Sequence, residues 1–110
     1  MPSDAAPIRI ALTTTGTLEE GRRLARLLVE RRLAACVNVI PNLTSIYRWQ
    51  GAIEEASEIL LLIKTTDEMV RPLETALREL HSYDVPEFLV LDVDSGSQSY
   101  LDWLLSSVAQ

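Results

Sequence analysis

Three stretches of this chain are apolar at nearly every consecutive position over strand-like lengths: residues 33–40 (LAACVNVI), 59–63 (ILLLI) and 88–91 (FLVL). Successive side chains of a strand point to opposite faces, so a strand apolar at every position has to be covered on both sides. A sheet built from these stretches therefore needs helices on one face and a second cover on the other. That requirement restricts the fold more than any other property of the chain.

The rest of the chain supplies the helices. Ile8, Ile10 and Leu12 alternate with Arg9, Ala11 and Thr13 as a half-buried strand that dissolves at residues 14–16. Thr17 followed by Glu20 is a capping-box signature, and Leu24, Ala25 and Leu28 then recur at helical spacing. Arg22, Arg23, Arg26 and Arg32 lie opposite, as a solvated face, and the helix is expected to reach about Arg32. Gly21 falls on the apolar stripe, which predicts a close approach to the sheet beneath. A second strand over residues 34–40 is ended by Pro41 and Asn42, residues 43–50 resume extended, and Gly51 marks a turn. Residues 52–64 read as one long or bulged strand. Thr65 or Thr66 is expected to cap a second helix from about Asp67 to Leu80, with Met69, Leu73, Ala76, Leu77 and Leu80 as its stripe and Pro72 in its first turns. A loop over residues 81–84, a last strand over 85–93 and a helix over 99–108 complete the order βαββαβα.

This order predicts an α+β fold with a ferredoxin-like antiparallel sheet and both long helices on one face, followed by an extra C-terminal helix. Tyr100, Trp103, Leu104 and Val108 of that last helix suit it to cover part of the other face, and self-association is expected to bury the remainder.

A chain of 110 residues makes one domain, expected over residues 8–110, after a flexible leader at residues 1–7 that has neither the basic nor the apolar region of a secretory signal. No apolar run approaches the ~20 residues that span a bilayer, and the expected compartment is the cytoplasm. A net charge of −6 opposes binding to nucleic acid or anionic membranes. One Cys and one His exclude an intrachain disulfide and a four-ligand zinc cage from a single chain. Cys36, among Ala34, Ala35 and Val37, reads as a small buried hydrophobe, with a soft-metal thiolate as the alternative. His81, Asp84 and Glu87 at three-residue spacings offer nitrogen and oxygen ligands to a divalent ion, or are simply loop polarity. A nucleophile elbow, a phosphate-cradling loop and a dinucleotide fingerprint are all missing from the sequence, so a non-enzyme is expected.

The segments LAACVNVIP at 33–41, TSIYRWQG at 44–51, residues 58–65, Val85-Pro86-Glu87 and YLDW at 100–103 stand in an order and spacing that resembles the CutA family of divalent-cation tolerance proteins. The resemblance spans about Ile8 to Leu105. It implies a homotrimer of ferredoxin-like subunits with sheets facing a threefold axis, and a link to copper and other divalent metals. Where some members of that family have a Cys at the end of the first strand and a His-His pair before Pro-Tyr, this chain has Thr13 and Leu80-His81-Ser82-Tyr83. His81 alone matches those ligands, so the resemblance implies weak copper binding with His81 as its carrier. It also places Tyr47, Trp49, Glu58, Lys64 and Tyr83 near clefts between subunits, where aromatic walls and convergent charges suit a small ligand. The implied function is that of a homotrimeric protein in the response to metal ions. A trimeric small-molecule sensor like the PII signalling proteins, and a structural trimeric adaptor, are the alternatives.

Overall fold

A computed structural model of the chain describes residues 7–110. All of the expected leader except Pro7 lies outside the described residues. The elements run β1 (Ile8–Thr15), α1 (Leu18–Glu30), β2 (Cys36–Trp49), β3 (Ala52–Thr66), α2 (Val70–Leu80), β4 (Leu89–Asp92) and α3 (Gln98–Val108), with a single 3-10 turn at Asp67–Met69 leading into α2. One four-stranded sheet has the order β2-β3-β1-β4, and every neighbouring pair is antiparallel.

The two long helices share one face. Leu24 and Leu28 of α1 and Leu73, Ala76 and Leu77 of α2 pack with Ala11 of β1 and Ile59, Leu61 and Ile63 of β3 into one buried cluster. The alternate residues of the same strands line the opposite face: Ile10 stands against Lys64 and Leu91, Leu12 against Leu62 and Leu89, and Ile40 against Leu60. α3 covers one end of that face through Leu104 and Val108, which pack with Ile8 and Ala35. The Lys64 ammonium lies 5.7 Å from the centre of the Tyr100 ring on the same helix.

Gly21 makes the predicted close approach, since a Cβ there would stand 3.0 Å from Thr15 Oγ1 and 3.3 Å from Ile59 Cγ2. Thr17 caps α1 as expected, its hydroxyl accepting from the Glu20 amide at 3.1 Å. α1 stops at Glu30 rather than Arg32, because Arg32 takes a left-handed φ of 59°.

The structure corrects three further local expectations. Neither Thr65 nor Thr66 caps the second helix: the Thr65 hydroxyl donates instead to the Leu33 carbonyl at 2.7 Å, and Thr66 makes no side-chain cap. Residues 34–40 and 43–50 are not separate strands. β2 runs through Pro41 and Asn42 by a register shift between Ile40 and Leu43, and Asn42 is accommodated at φ 63°. The last strand shrinks from residues 85–93 to Leu89–Asp92, since Pro86 has no amide to donate to a ladder.

Candidate functional site

Polar side chains are buried together where the end of β1, the start of α1, the end of α2 and β3 converge. His81, the extended residue that follows α2, has a fully buried side chain. Its Nε2 lies 2.6 Å from the Thr14 carbonyl, and the Tyr83 amide donates to its Nδ1 at 3.0 Å. A carbonyl only accepts and an amide N–H only donates, so Nε2 is the ring nitrogen that donates and Nδ1 the one that accepts. Both ring nitrogens are thereby occupied.

Glu20 faces the same ring, its Oε2 3.8 Å from Nδ1. The capping-box reading predicted that this carboxylate serves α1 itself. Instead it accepts from the Ser82 amide at 2.8 Å and the Ser82 hydroxyl at 2.9 Å, which ties the helix start to the loop after α2. Burial of Glu20 opposes ionisation, but the two Ser82 hydrogen bonds, with His81 and Arg23 nearby, outweigh it and leave the carboxyl below its usual range.

The Tyr83 ring stacks at a tilt on His81, centroids 4.7 Å apart, and its hydroxyl donates to Glu58 Oε2 at 2.8 Å. Burial, reinforced by that hydrogen bond and the Glu58 charge, pushes the phenol up to about 12, so it stays a donor at neutral pH. Gly16 makes room for this hydroxyl, since a Cβ there would lie 3.2 Å from it. Glu58 also borders a cavity of about 350 Å³ lined by Thr17, Asn42, Thr44 and Ser57 among others.

Of the residues singled out for a cleft, the structure joins Tyr83 to Glu58 and spreads the others. Tyr47 and Trp49 are exposed on the outer arm of β2, opposite Glu54 and Ala52. Lys64 lies six residues further along β3 than Glu58, about 20 Å at strand rise, beside Cys36. Of the candidate metal ligands, His81 is buried, Cys36 half-buried on β2, and Asp84 and Glu87 exposed in the loop before β4. Among the described residues no three or more His, Cys, Asp or Glu side chains come together as a group able to hold a metal ion. Thr14 and Glu20 are not legible as partners of His81, nor Ser82 as the partner of Glu20, because each pair stands 61 or more residues apart in the sequence and the Thr14 contact uses only a backbone carbonyl.

The profile of a family described as CutA1 divalent ion tolerance protein matches residues 9–107. The chain belongs to that family. A divalent-cation tolerance protein CutA from Thermus thermophilus is 50% identical over 95 residues, covering 86% of this chain and 92% of the relative. The human protein CutA is 44% identical over 97 residues, covering 88% of this chain but 54% of its own length. Among solved structures, CutA1 from Oryza sativa superposes with a TM-score of 0.92 at 37% identity, covering 96% of each chain. The Thermus thermophilus Cut A1 structure superposes with a TM-score of 0.89 at 47% identity, covering 91% of this chain and 97% of the other. The α+β architecture with its antiparallel sheet is thus the CutA1 architecture, and the family named from the sequence is the family found.

Proposed function

We propose that this chain acts as a homotrimer in the tolerance of divalent cations, and that its strand order is to be read as the ferredoxin-like one. Family membership over residues 9–107 supports the role. The observation that carries the assembly is the half-covered sheet face, where Ile40, Leu89 and Leu91 keep 41%, 56% and 49% of their surface exposed. Three such faces turned toward a common axis bury one another.

Copper fits this chain poorly as a resident ion. Both nitrogens of His81 already have partners, and Thr13 presents a buried hydroxyl with no hydrogen-bond partner in place of a thiolate. Weak copper binding therefore enters the proposal only at ligands supplied by more than one copy, with Cys36, Asp84 and Glu87 as donors that remain within reach of solvent. Sedimentation equilibrium at low micromolar concentration is expected to give three times the chain mass, and native mass spectrometry after copper titration and buffer exchange to show no retained ion. A monomer, or one copper held per chain, overturns this reading.

Glu58, which lines its cavity and is held by the Tyr83 hydroxyl, supports a second reading, a sensor whose small ligand donates hydrogen bonds to Glu58. Retention of a metabolite from a cell-extract pool in the same spectrometer separates it from the first. For the compartment we propose the cytoplasm. Among the described residues no helix is long and apolar enough to cross a membrane, while a related structure from Archaeoglobus fulgidus, 33% identical, is described as periplasmic.

A further inference from the structure

Among the described residues two carboxylates are buried, and their partners differ. Glu20 keeps 7% of its surface exposed and accepts from both the amide and the hydroxyl of Ser82, with His81 beside it. Glu58 keeps 9%, and the Tyr83 hydroxyl serves its Oε2 alone. Glu58 takes part in no ion pair among the described residues, and its cavity of about 350 Å³ has no Lys or Arg in its lining. A carboxylate removed from water without a cation is costly, so the free Oε1 favours a positively charged donor.

The same cavity reaches the start of α1, at Thr17 and Leu18. Thr17 caps the Glu20 amide and its carbonyl takes the Gly21 amide, which leaves the Leu18 and Glu19 amides without an acceptor in the helix. The positive end of a 13-residue helix therefore borders one side of the space that Glu58 borders on another.

We propose that this cavity binds a small neutral amino acid as its zwitterion, with the α-ammonium donating to Glu58 and the α-carboxylate accepting at the start of α1. This rests on the sensor reading given above and names the class of its ligand.

Charge excludes the simpler ligands. A plain amine satisfies Glu58 but brings a cation to the positive end of a helix, and a plain anion does the opposite. A phosphate meets the Glu58 charge with no Lys or Arg to offset it. A divalent ion finds one carboxylate, with no His, Cys or second acid in the lining. Size narrows the choice further, since sites for small ligands run from about 300 to 1,000 Å³ and this cavity stands near the lower limit. The remaining walls suit an uncharged side chain. The register shift after Ile40 sets Leu43 opposite Glu58 and Thr44 opposite Ser57, so the bulge itself brings Asn42 and Thr44 into the lining. An acidic side chain adds a second negative charge beside Glu58, and a basic one has no second carboxylate to meet.

Calorimetric titration of the whole chain with L-alanine, L-serine and L-glutamine tests this. At least one is expected to bind, and removing either pole of that ligand, as its N-acetyl derivative or its methyl ester, to weaken binding about tenfold or more. Glu58→Gln, which keeps an acceptor for Tyr83, is expected to weaken the unmodified amino acid by a similar factor. If that variant misfolds, the two blocked ligands test the same poles on the wild type. Equal binding of the blocked and free forms overturns the zwitterion, and binding indifferent to a folded Glu58→Gln overturns the site. No binding of any of the three overturns this ligand class. A metabolite of another class retained from the cell-extract pool then leaves the sensor reading standing, whereas a chain that retains none removes both.

Discussion

On one face of the sheet Ala11, Leu61 and Ile63 are sealed under Leu24, Leu28, Leu73 and Leu77, all at 1% exposure or less, whereas on the other Leu89 and Leu91 remain about half exposed. The two faces are made from alternate residues of the same strands, so the difference lies in what covers them. Two amphipathic helices complete the first face within one chain. A single short helix, α3, covers only one end of the second. The lesson is that the two faces of one strand can differ in how far the chain itself completes them: the helix face is sealed, and the other is covered only at the end where α3 lies.

Substitution on each face sharpens this contrast. Leu24→Ala opens a cavity under the helices and is expected to lower stability by about 2–5 kcal/mol in urea denaturation, without altering the stoichiometry of the chains that remain folded. Leu91→Asp on the open face is expected to do the reverse, giving a folded monomer in sedimentation. If Leu91→Asp stays assembled, the two faces do not divide the labour in this way.

His81→Ala is the next largest effect. The sequence suggests a loop residue with little structural weight, but removing the imidazole strips the Thr14 carbonyl and the Tyr83 amide of their buried partners. A loss of about 1–3 kcal/mol is expected in the same denaturation experiment, and an unchanged midpoint contradicts the role given to the ring here.

The Glu20 carboxyl gives a pH dependence with a definite sign. Its folded-state pKa is lowered from 4.5, so its contribution is present above that value and is lost as the pH falls below it toward the folded pKa. Denaturation midpoints across the acid range are expected to fall less steeply for Glu20→Gln than for the wild type, from a lower starting value. Parallel curves argue that Ser82 does not depend on this charge.

The smallest effect is expected at Thr13, whose hydroxyl is the one buried side-chain polar atom without a hydrogen-bond partner among the described residues. Thr13→Val keeps the shape and removes the orphan, and a gain of about 1 kcal/mol is expected; a loss places an unseen partner at that hydroxyl.

The elements that could be read from the sequence are those whose signal is local. The alternation from Ile8, the Thr17 cap, the stripe of Leu24 and Leu28, and the tight seat of Gly21 each need only neighbours within a turn or a pleat. Most of the candidate site is not of that kind. Glu20 carries a capping-box position, yet its carboxylate is used 62 residues away at Ser82, and nothing in the spacing records that choice. His81 looks like a free imidazole because its partners are a backbone carbonyl and a backbone amide, groups every residue has. The pairing of Tyr83 with Glu58 is half legible, since the resemblance sets both near a cleft, but it sets Lys64 there too, although the same straight strand carries Lys64 to the far end of the sheet. β4 is shorter than its sequence suggests: Val85 has strand character, but Pro86 and the turn anchored by Ser82 hold the chain away from β1 until Leu89.

Pro41 has a consequence for the open edge of the sheet. The chain carries a 14-residue outer strand, and a long unpaired strand with apolar side chains is a template on which other copies stack into aggregates. Pro41 lacks an amide hydrogen and Asn42 turns through φ 63°, so the outer edge is broken near its middle into two short rows of hydrogen-bonding groups. Neither row is long enough to seed a fibril easily. The same irregularity that bends the strand thus acts as a gatekeeper against edge-to-edge stacking.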